Sequence, residues 1–282
     1  MEYSLLGNSG VRVSKISVGT FPYGIAPLAE NVNALIGRAL DLGINFVDCA
    51  NSYGNQSRFD RPGAPPAAER ESAEELVGKA LRGRRHEVIL SSKVQEAMGS
   101  GANGGGPLGG GLTRVHMMQQ VEQSLRRFNT DYIDIYHAHH PDPTTPIDQT
   151  MRVFDDLIKQ GKIRYCALST FPGWELTEAM LISQQLGLNT PVCHQIRYNL
   201  IDRRPEHEVI PASNHFGVSL TAFSPLDGGI IAGPEIGNRA PRFQSALSQG
   251  RPAFSDFQIA VASKLEILGG EWGYRPSQLG LA

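Results

Sequence analysis

The sequence predicts an α/β protein in which a small N-terminal β-hairpin precedes a parallel sheet that closes toward a barrel. Three observations predict it. Seven short apolar or β-branched runs alternate with longer stretches of helical periodicity, and strict alternation implies parallel strands joined by helical crossovers. Such crossovers are right-handed, so seven or eight in succession tend to close on themselves. The first strand runs into Gly19-Thr20-Phe21-Pro22-Tyr23-Gly24, whose spacing is not the GxGxxG that opens a doubly wound dinucleotide-binding sheet.

The elements follow in order. Tyr3 to Val13 holds two apolar runs around Gly7-Asn8-Ser9-Gly10; Gly and Asn accept positive φ, so this segment is a hairpin. Ile16 to Val18 then leads to a helix over Asn31 to Leu42, Ile44 to Val47 to a helix over Ser72 to Leu81, and Val88 to Leu90 to a helix over Thr113 to Phe128. Tyr132 to Tyr136 leads to Ile147 to Gln160, Ile163 to Leu168 to Trp174 to Leu186, Val192 to Gln195 to Pro205 to Phe216, and Val218 to Phe223 to a helical stretch around Phe257 to Leu268. Gly43, Gly161 and Gly187 stand where a helix C-terminus favours a left-handed residue. Two long loops, Asn55 to Glu71 and the Gly-rich Gln95 to Leu112, follow strands and precede helices. In a barrel both belong to the face where active sites are built, as substrate lids or as flexible insertions.

Composition narrows the function. With 282 residues, 40% of them hydrophobic, the chain buries a large core as one domain over 1–282, and 26 basic against 28 acidic residues give a net charge of −2. That balance excludes a phosphate-backbone binder, so no nucleic-acid partner is expected. No apolar run reaches the ~20 residues of a membrane helix, and the first residues lack the basic and apolar regions of a leader. A cytoplasmic protein that binds no membrane is therefore expected, as a monomer or homo-oligomer. Cys49, Cys166 and Cys193 lie far apart in apolar runs, which suits reduced core thiols. Trp174 and Trp272 read as ordinary helix aromatics and His194 as a packed strand residue.

Chemistry concentrates at strand ends. Asp48 closes the second strand and Tyr53 follows five residues on; Lys93 ends the third strand and His137, His139 and His140 end the fourth. A phenol with an ordinary pKa near ~10 exchanges its proton poorly at neutral pH, and an ammonium within ~4–6 Å favours its phenolate. Lys93 has the chemistry to do this, Asp48 to keep Lys93 charged, and His139 to donate to a carbonyl oxygen beside Tyr53. The alternatives are a solvated Lys93, a helix-cap role for Asp48, and a metal pair made by His137 and His139, which period two places on one face.

The residues LGNSGVRVSKISVGT, DCANSYG, the SSK strand end, DYIDIYHAHHPDP, DDLIKQGKIRYCALS, QIRYNL and TAFSPLDGG occur in this order over nearly the whole chain. Together they resemble the aldo-keto reductases, in particular the bacterial branch similar to potassium-channel β-subunits. The resemblance implies a (β/α)8 TIM barrel and NADPH-dependent reduction of a small-molecule carbonyl substrate, with NADH as the other candidate cofactor. It puts the catalytic tetrad on Asp48, Tyr53, Lys93 and His139. It puts cofactor contacts on Gly19, Thr20, Ser169, Thr170 and Gln195, on Phe223 as the ring that stacks on the nicotinamide, and on Ser224, Pro225, Leu226 and Gly228 along the pyrophosphate. Thr170 stands where the family usually has Asn, which weakens one expected carboxamide contact. The last residues, Pro276 to Ala282, resemble the start of the helix before the family's eighth strand. That strand and the last helix, where the family holds the adenosine 2′-phosphate, are then expected to be missing from this chain. Besides a reductase, a regulatory barrel that binds cofactor without turnover and a metal-dependent barrel hydrolase fit parts of this pattern.

Overall fold

The computed structural model describes residues 1–60, 63–98, 110–233 and 253–282. Most of the Gly-rich loop expected over Gln95 to Leu112 lies outside the described residues. The chain divides into two compact units, Met1–His194 with Val209–Leu220, and Gln195–Glu208 with Thr221–Ala282.

The first unit opens with the hairpin, β1 (Tyr3–Leu5) antiparallel to β2 (Arg12–Ser14). Then β3 (Val18–Gly19), α1 (Ala29–Asp41), β4 (Phe46–Asp48), α2 (Ala73–Ala80), β5 (Ile89–Val94) and α3 (Arg114–Phe128) follow. Next come β6 (Ile133–Ala138), α4 (Ile147–Lys159), β7 (Ile163–Ser169), α5 (Gly173–Leu186), β8 (Cys193–Arg197), α6 (Val209–Phe216) and β9 (Ser219–Phe223). The seven strands β3 to β9 lie side by side in chain order, with parallel pairing from β3 through β7. A doubly wound sheet reverses its order at a switch point; this one does not, as a (β/α)8 barrel requires. Each expected strand and helix is present within a few residues of its expected bounds.

Strand periodicity sorts the side chains. Val47, Leu90, Val94, Tyr136, Ala138, Cys166 and Leu168 face the helices, packing with Leu76, Val77, Met117, Val121 and Phe154. On the opposite face Phe46, Ile135, Ala167 and Cys193 form an apolar floor against Leu6 and Val13 of the hairpin segment. Side chains alternate along a strand, so residues two and four positions further on, Asp48, His137, His139 and Ser169, share the face of that floor. The three cysteines are buried and none is in a disulfide, as expected.

Local signals hold the helices. Ser72 and Glu75 form a capping box on α2, Thr113 accepts from the His116 amide at the start of α3, and Gly187 ends α5 at φ 66°. Close approach of α2 to α3 requires Gly78, because a Cβ there meets the Phe128 carbonyl oxygen at 2.5 Å. Gly78→Ala is expected to destabilise the chain by about 1–3 kcal/mol in urea unfolding, as overpacking against backbone does. Unchanged stability would mean that the two helices separate freely.

The second unit holds the ends of β8 and β9, α7 (Asp256–Trp272) and α8 (Pro276–Leu281). Its own core is Ile230, Ile231, Ala262 and Leu265, with Leu226 and Phe254 against it. Trp174 in the first unit and Trp272 in the second are surface aromatics, each 60% exposed. No helix among the described residues is long and apolar enough to cross a membrane.

Candidate active site

Lys93 is fully buried, which removes the reading of it as a solvated strand-end charge. An ammonium out of water must be paired and hydrogen-bonded. Its Nζ donates to Asp48 Oδ2 at 2.7 Å and to the Cys49 carbonyl at 2.7 Å. The other Asp48 oxygen accepts from Ser91 Oγ at 2.6 Å. The backbone of Asp48 is itself fixed, since the Thr20 amide and hydroxyl both donate to its carbonyl, at 3.0 and 2.9 Å. β4 and β5 pair Asp48 with Ser91, so adjacent strand ends deliver this pair without a loop rearrangement.

Tyr53 completes the group. Lys93 Nζ lies 4.9 Å from its ring centroid, Phe21 packs edge-on at 5.0 Å and His139 edge-on at 5.8 Å. Burial pushes the Tyr53 hydroxyl up to about 12, with the Lys93 ammonium pulling the other way. The lysine therefore acts in the expected sense, but desolvation exceeds it, and the phenol keeps its proton. For Asp48, burial works against ionisation, yet the Lys93 ammonium and the hydrogen bonds from Lys93 and Ser91 hold the carboxyl below its ordinary value. Lys93 in turn is raised above its ordinary value, burial being outweighed by Asp48 and Tyr53.

A carboxyl depressed in the folded state contributes stability that is present above its unfolded value near ~3.9 and is lost as pH falls through the folded one. The chain is therefore expected to hold its urea stability from pH 7 to about 5 and to lose it below about 4, with a shallower loss in Asp48→Asn. Equal stability of the unsubstituted chain at pH 3 and pH 7 would show that this carboxylate contributes nothing.

The histidines separate. His137 is fully buried, its Nδ1 facing the Leu168 carbonyl at 3.4 Å, and burial with the nearby Lys93 charge lowers it to about 3. It is a neutral ring beside the ion pair. The alternative of a metal pair made by His137 and His139 gains no support, because His139 Nδ1 faces a Glu96 carboxylate oxygen at 2.9 Å and its ring stacks on His140 at 4.5 Å. Glu96 was not singled out in the sequence. It lies past the end of β5 in no motif, and only its distance from Lys93, three residues, hinted that it reaches the same rim. His194 is a buried strand residue as expected, with neither ring nitrogen hydrogen-bonded.

The loop after Tyr53 is tied down rather than loose over its described residues. Arg70 is 7% exposed and donates to the carbonyls of Gly54, Gln56 and Pro65, at 2.9, 2.9 and 2.5 Å, and to Asp60 at 2.7 Å.

An aspartate, a tyrosine, a buried lysine and a histidine thus meet at the strand ends of one parallel sheet. Comparison with known proteins matches residues 15–282 to the model of the Aldo/keto reductase family. The chain belongs to that family. It is 33% identical over 243 residues to the "Uncharacterized oxidoreductase YrpG" of Bacillus subtilis, covering 85% of this chain and 71% of that one. It is 31% identical to a "Probable voltage-gated potassium channel subunit beta" of Oryza sativa, over 100% of this chain and 83% of the relative. It is 30% identical to the "Versiconal hemiacetal acetate reductase" of Aspergillus parasiticus, over 100% and 84%.

Aldo/keto reductases use nicotinamide dinucleotides, and the polar residues suit such a group. In the first unit, Ser169 presents a nearly buried hydroxyl at the end of β7, and a Cβ on exposed Gly19 would enter open space beside the strand end of Asp48. Thr170, at φ 60°, is less available: its hydroxyl donates to the His139 carbonyl at 3.1 Å and accepts from His140 Nδ1 at 2.8 Å. In the second unit, Gln195 offers a carboxamide that is 6% exposed, and Phe223 ends β9. The following turn puts Ser224, Asp227, Gly228 and Gly229 at positive φ, while Asn199 Nδ2 donates to the Ser224 carbonyl at 3.0 Å. Asp227 at the base of this turn is paired with Arg197 and accepts from Gln258 at 2.6 Å, which removes a bare anion from the expected pyrophosphate stretch. Leu226 packs into the core of that unit, and Pro225 stands beside it as a partly buried residue.

Proposed function

We propose that this chain is an NADPH-dependent reductase that converts an aldehyde or ketone to the alcohol, with Asp48, Tyr53, Lys93 and His139 as its catalytic groups. The family and its reductase-named relatives support oxidoreductase activity. The observation that carries the finer reading is the buried Lys93, held by Asp48 at 2.7 Å and facing Tyr53 at 4.9 Å.

When bound, the nicotinamide supplies the hydride; the residues of the chain supply the proton and hold the carbonyl. As the carbonyl oxygen gains negative charge it becomes about as basic as hydroxide, whose conjugate acid has a pKa of ~15.7. A phenol at about 12 gives its proton to such an oxygen downhill. The phenolate left behind faces the Lys93 ammonium, which remains charged because Asp48 is its counter-ion. Solvent then restores the proton. The charge-stabilising groups are in place before the reaction begins, so little reorganisation is needed. Within the first unit Ser169 has a hydroxyl donor of the kind a carboxamide accepts, and within the second Phe223 has a ring of the kind that stacks on a nicotinamide.

The potassium-channel relatives favour one other reading, a regulatory protein that binds cofactor without turning over. The two part in a single experiment. The full chain is mixed with NADPH or NADH and a panel of aliphatic, aromatic and sugar carbonyls, and cofactor oxidation is followed. A reductase oxidises NADPH with at least one class. Tight cofactor binding without oxidation across the panel would favour the regulatory reading.

A further inference from the structure

Glu96 has no part in the chemistry so far, yet it is well placed. Its main-chain oxygen faces His116 Nε2 of α3 at 3.2 Å, and its carboxylate is 15% exposed. One carboxylate oxygen lies 2.9 Å from His139 Nδ1 and the other 3.5 Å from His140 Nε2. Burial disfavours its ionised form, but the hydrogen bond from His139 holds the carboxyl far below its ordinary range. An ionised carboxylate carries no proton, so the proton of the 2.9 Å contact belongs to His139 Nδ1. A neutral imidazole has one N–H, so His139 Nε2 is then bare. The ring accepts a hydrogen bond at Nε2 while neutral and donates there only as imidazolium, which revises the expected donation to a carbonyl.

The other charged and titratable groups around His139 are Lys93 and His137 on the same sheet face, Tyr53 edge-on, and stacked His140. Asp48 is paired with Lys93. Burial, Lys93 and His140 oppose a positive charge on the ring; Glu96 favours it. His140 is held separately. Thr170 gives its one hydroxyl proton to the His139 carbonyl, so its oxygen accepts from His140 Nδ1.

We propose that Glu96 is a positioning residue for His139, fixing the ring with its proton on Nδ1 so that Nε2 serves as a proton acceptor in the site and becomes a donor only on gaining a second proton. What Nε2 serves rests on the reductase reading; the pairing itself does not.

The test is an NMR pH titration of the full chain labelled with 15N-histidine, unsubstituted and as Glu96→Gln and Glu96→Asp, with His137 as internal reference. Neutral His139 is expected as the Nδ1–H tautomer, and its midpoint is expected to fall by about one pH unit or more in Glu96→Gln, as loss of an adjacent opposite charge predicts. Glu96→Asp should restore part of the shift, and His137 should not move. The pH profile of carbonyl reduction should shift with His139. An Nε2–H tautomer, or the same midpoint in Glu96→Gln, overturns the proposal. So does a change of the His139 signals on dialysis against EDTA, because a metal rather than a proton would then join the pair. A shifted midpoint with no turnover of any carbonyl upholds the pairing and removes the reductase reading instead.

Discussion

Tyr53→Phe is expected to lower the turnover of NADPH-dependent carbonyl reduction by about 10²–10⁴-fold, the range ascribed to a positioned proton donor. The ring remains, so its edge contacts with Phe21 and His139 survive and the fold should be unaffected. The hydroxyl acts on charge that develops only in the transition state, so cofactor affinity should stay within a few-fold. Stopped-flow turnover and fluorescence titration of NADPH on the same preparations check both halves. Turnover near the unsubstituted rate would assign the proton to another group, and His139 would be the first to examine.

Lys93→Met is expected to do more, because it acts on folding and on chemistry together. Without the ammonium, the Asp48 carboxylate loses its counter-ion in a site that is 9% exposed, although Ser91 still donates to it. Breaking a buried pair on one side typically costs about 3–5 kcal/mol. Urea unfolding should show this loss at neutral pH, and Lys93→Met combined with Asp48→Asn should recover part of it by removing the stranded charge. For the chemistry, a unit charge about 5 Å from a forming phenolate contributes roughly 3 kcal/mol at an effective dielectric of ~20. Turnover should therefore fall by about a hundredfold or more even where the protein is folded. A folded, fully stable and active Lys93→Met would remove the lysine from both roles.

The chain order of strands and helices was legible because each βα unit carries its own punctuation. Short apolar runs, helical periodicity and glycines such as Gly187 are local signals, and local signals survive in one dimension. The residue types of the candidate site were legible for the same reason: Asp48, Lys93 and His139 each close a strand or follow its end, and parallel strands bring their ends to one rim.

The state of those groups was not legible, because it depends on how much water the fold leaves around them. Lys93 reads equally well as a solvated charge or a buried one until the apolar floor of Phe46, Ile135, Ala167 and Cys193 lies behind it. The direction of the Tyr53 shift turned on the same quantity, since burial outweighs the lysine. Glu96 escaped notice because its meeting with His139 joins residues 43 apart in sequence through a segment beyond a strand end. Thr170 looked like a simple shortening of an amide, whereas its hydroxyl is held by His139 and His140. The sequence by itself determined which chemical groups reach the rim, since strand ends and side-chain alternation are properties of the chain. Only the tertiary structure decided which of them are dry, which are paired and where each proton resides, since desolvation and hydrogen bonding belong to neighbours that the chain brings together only on folding.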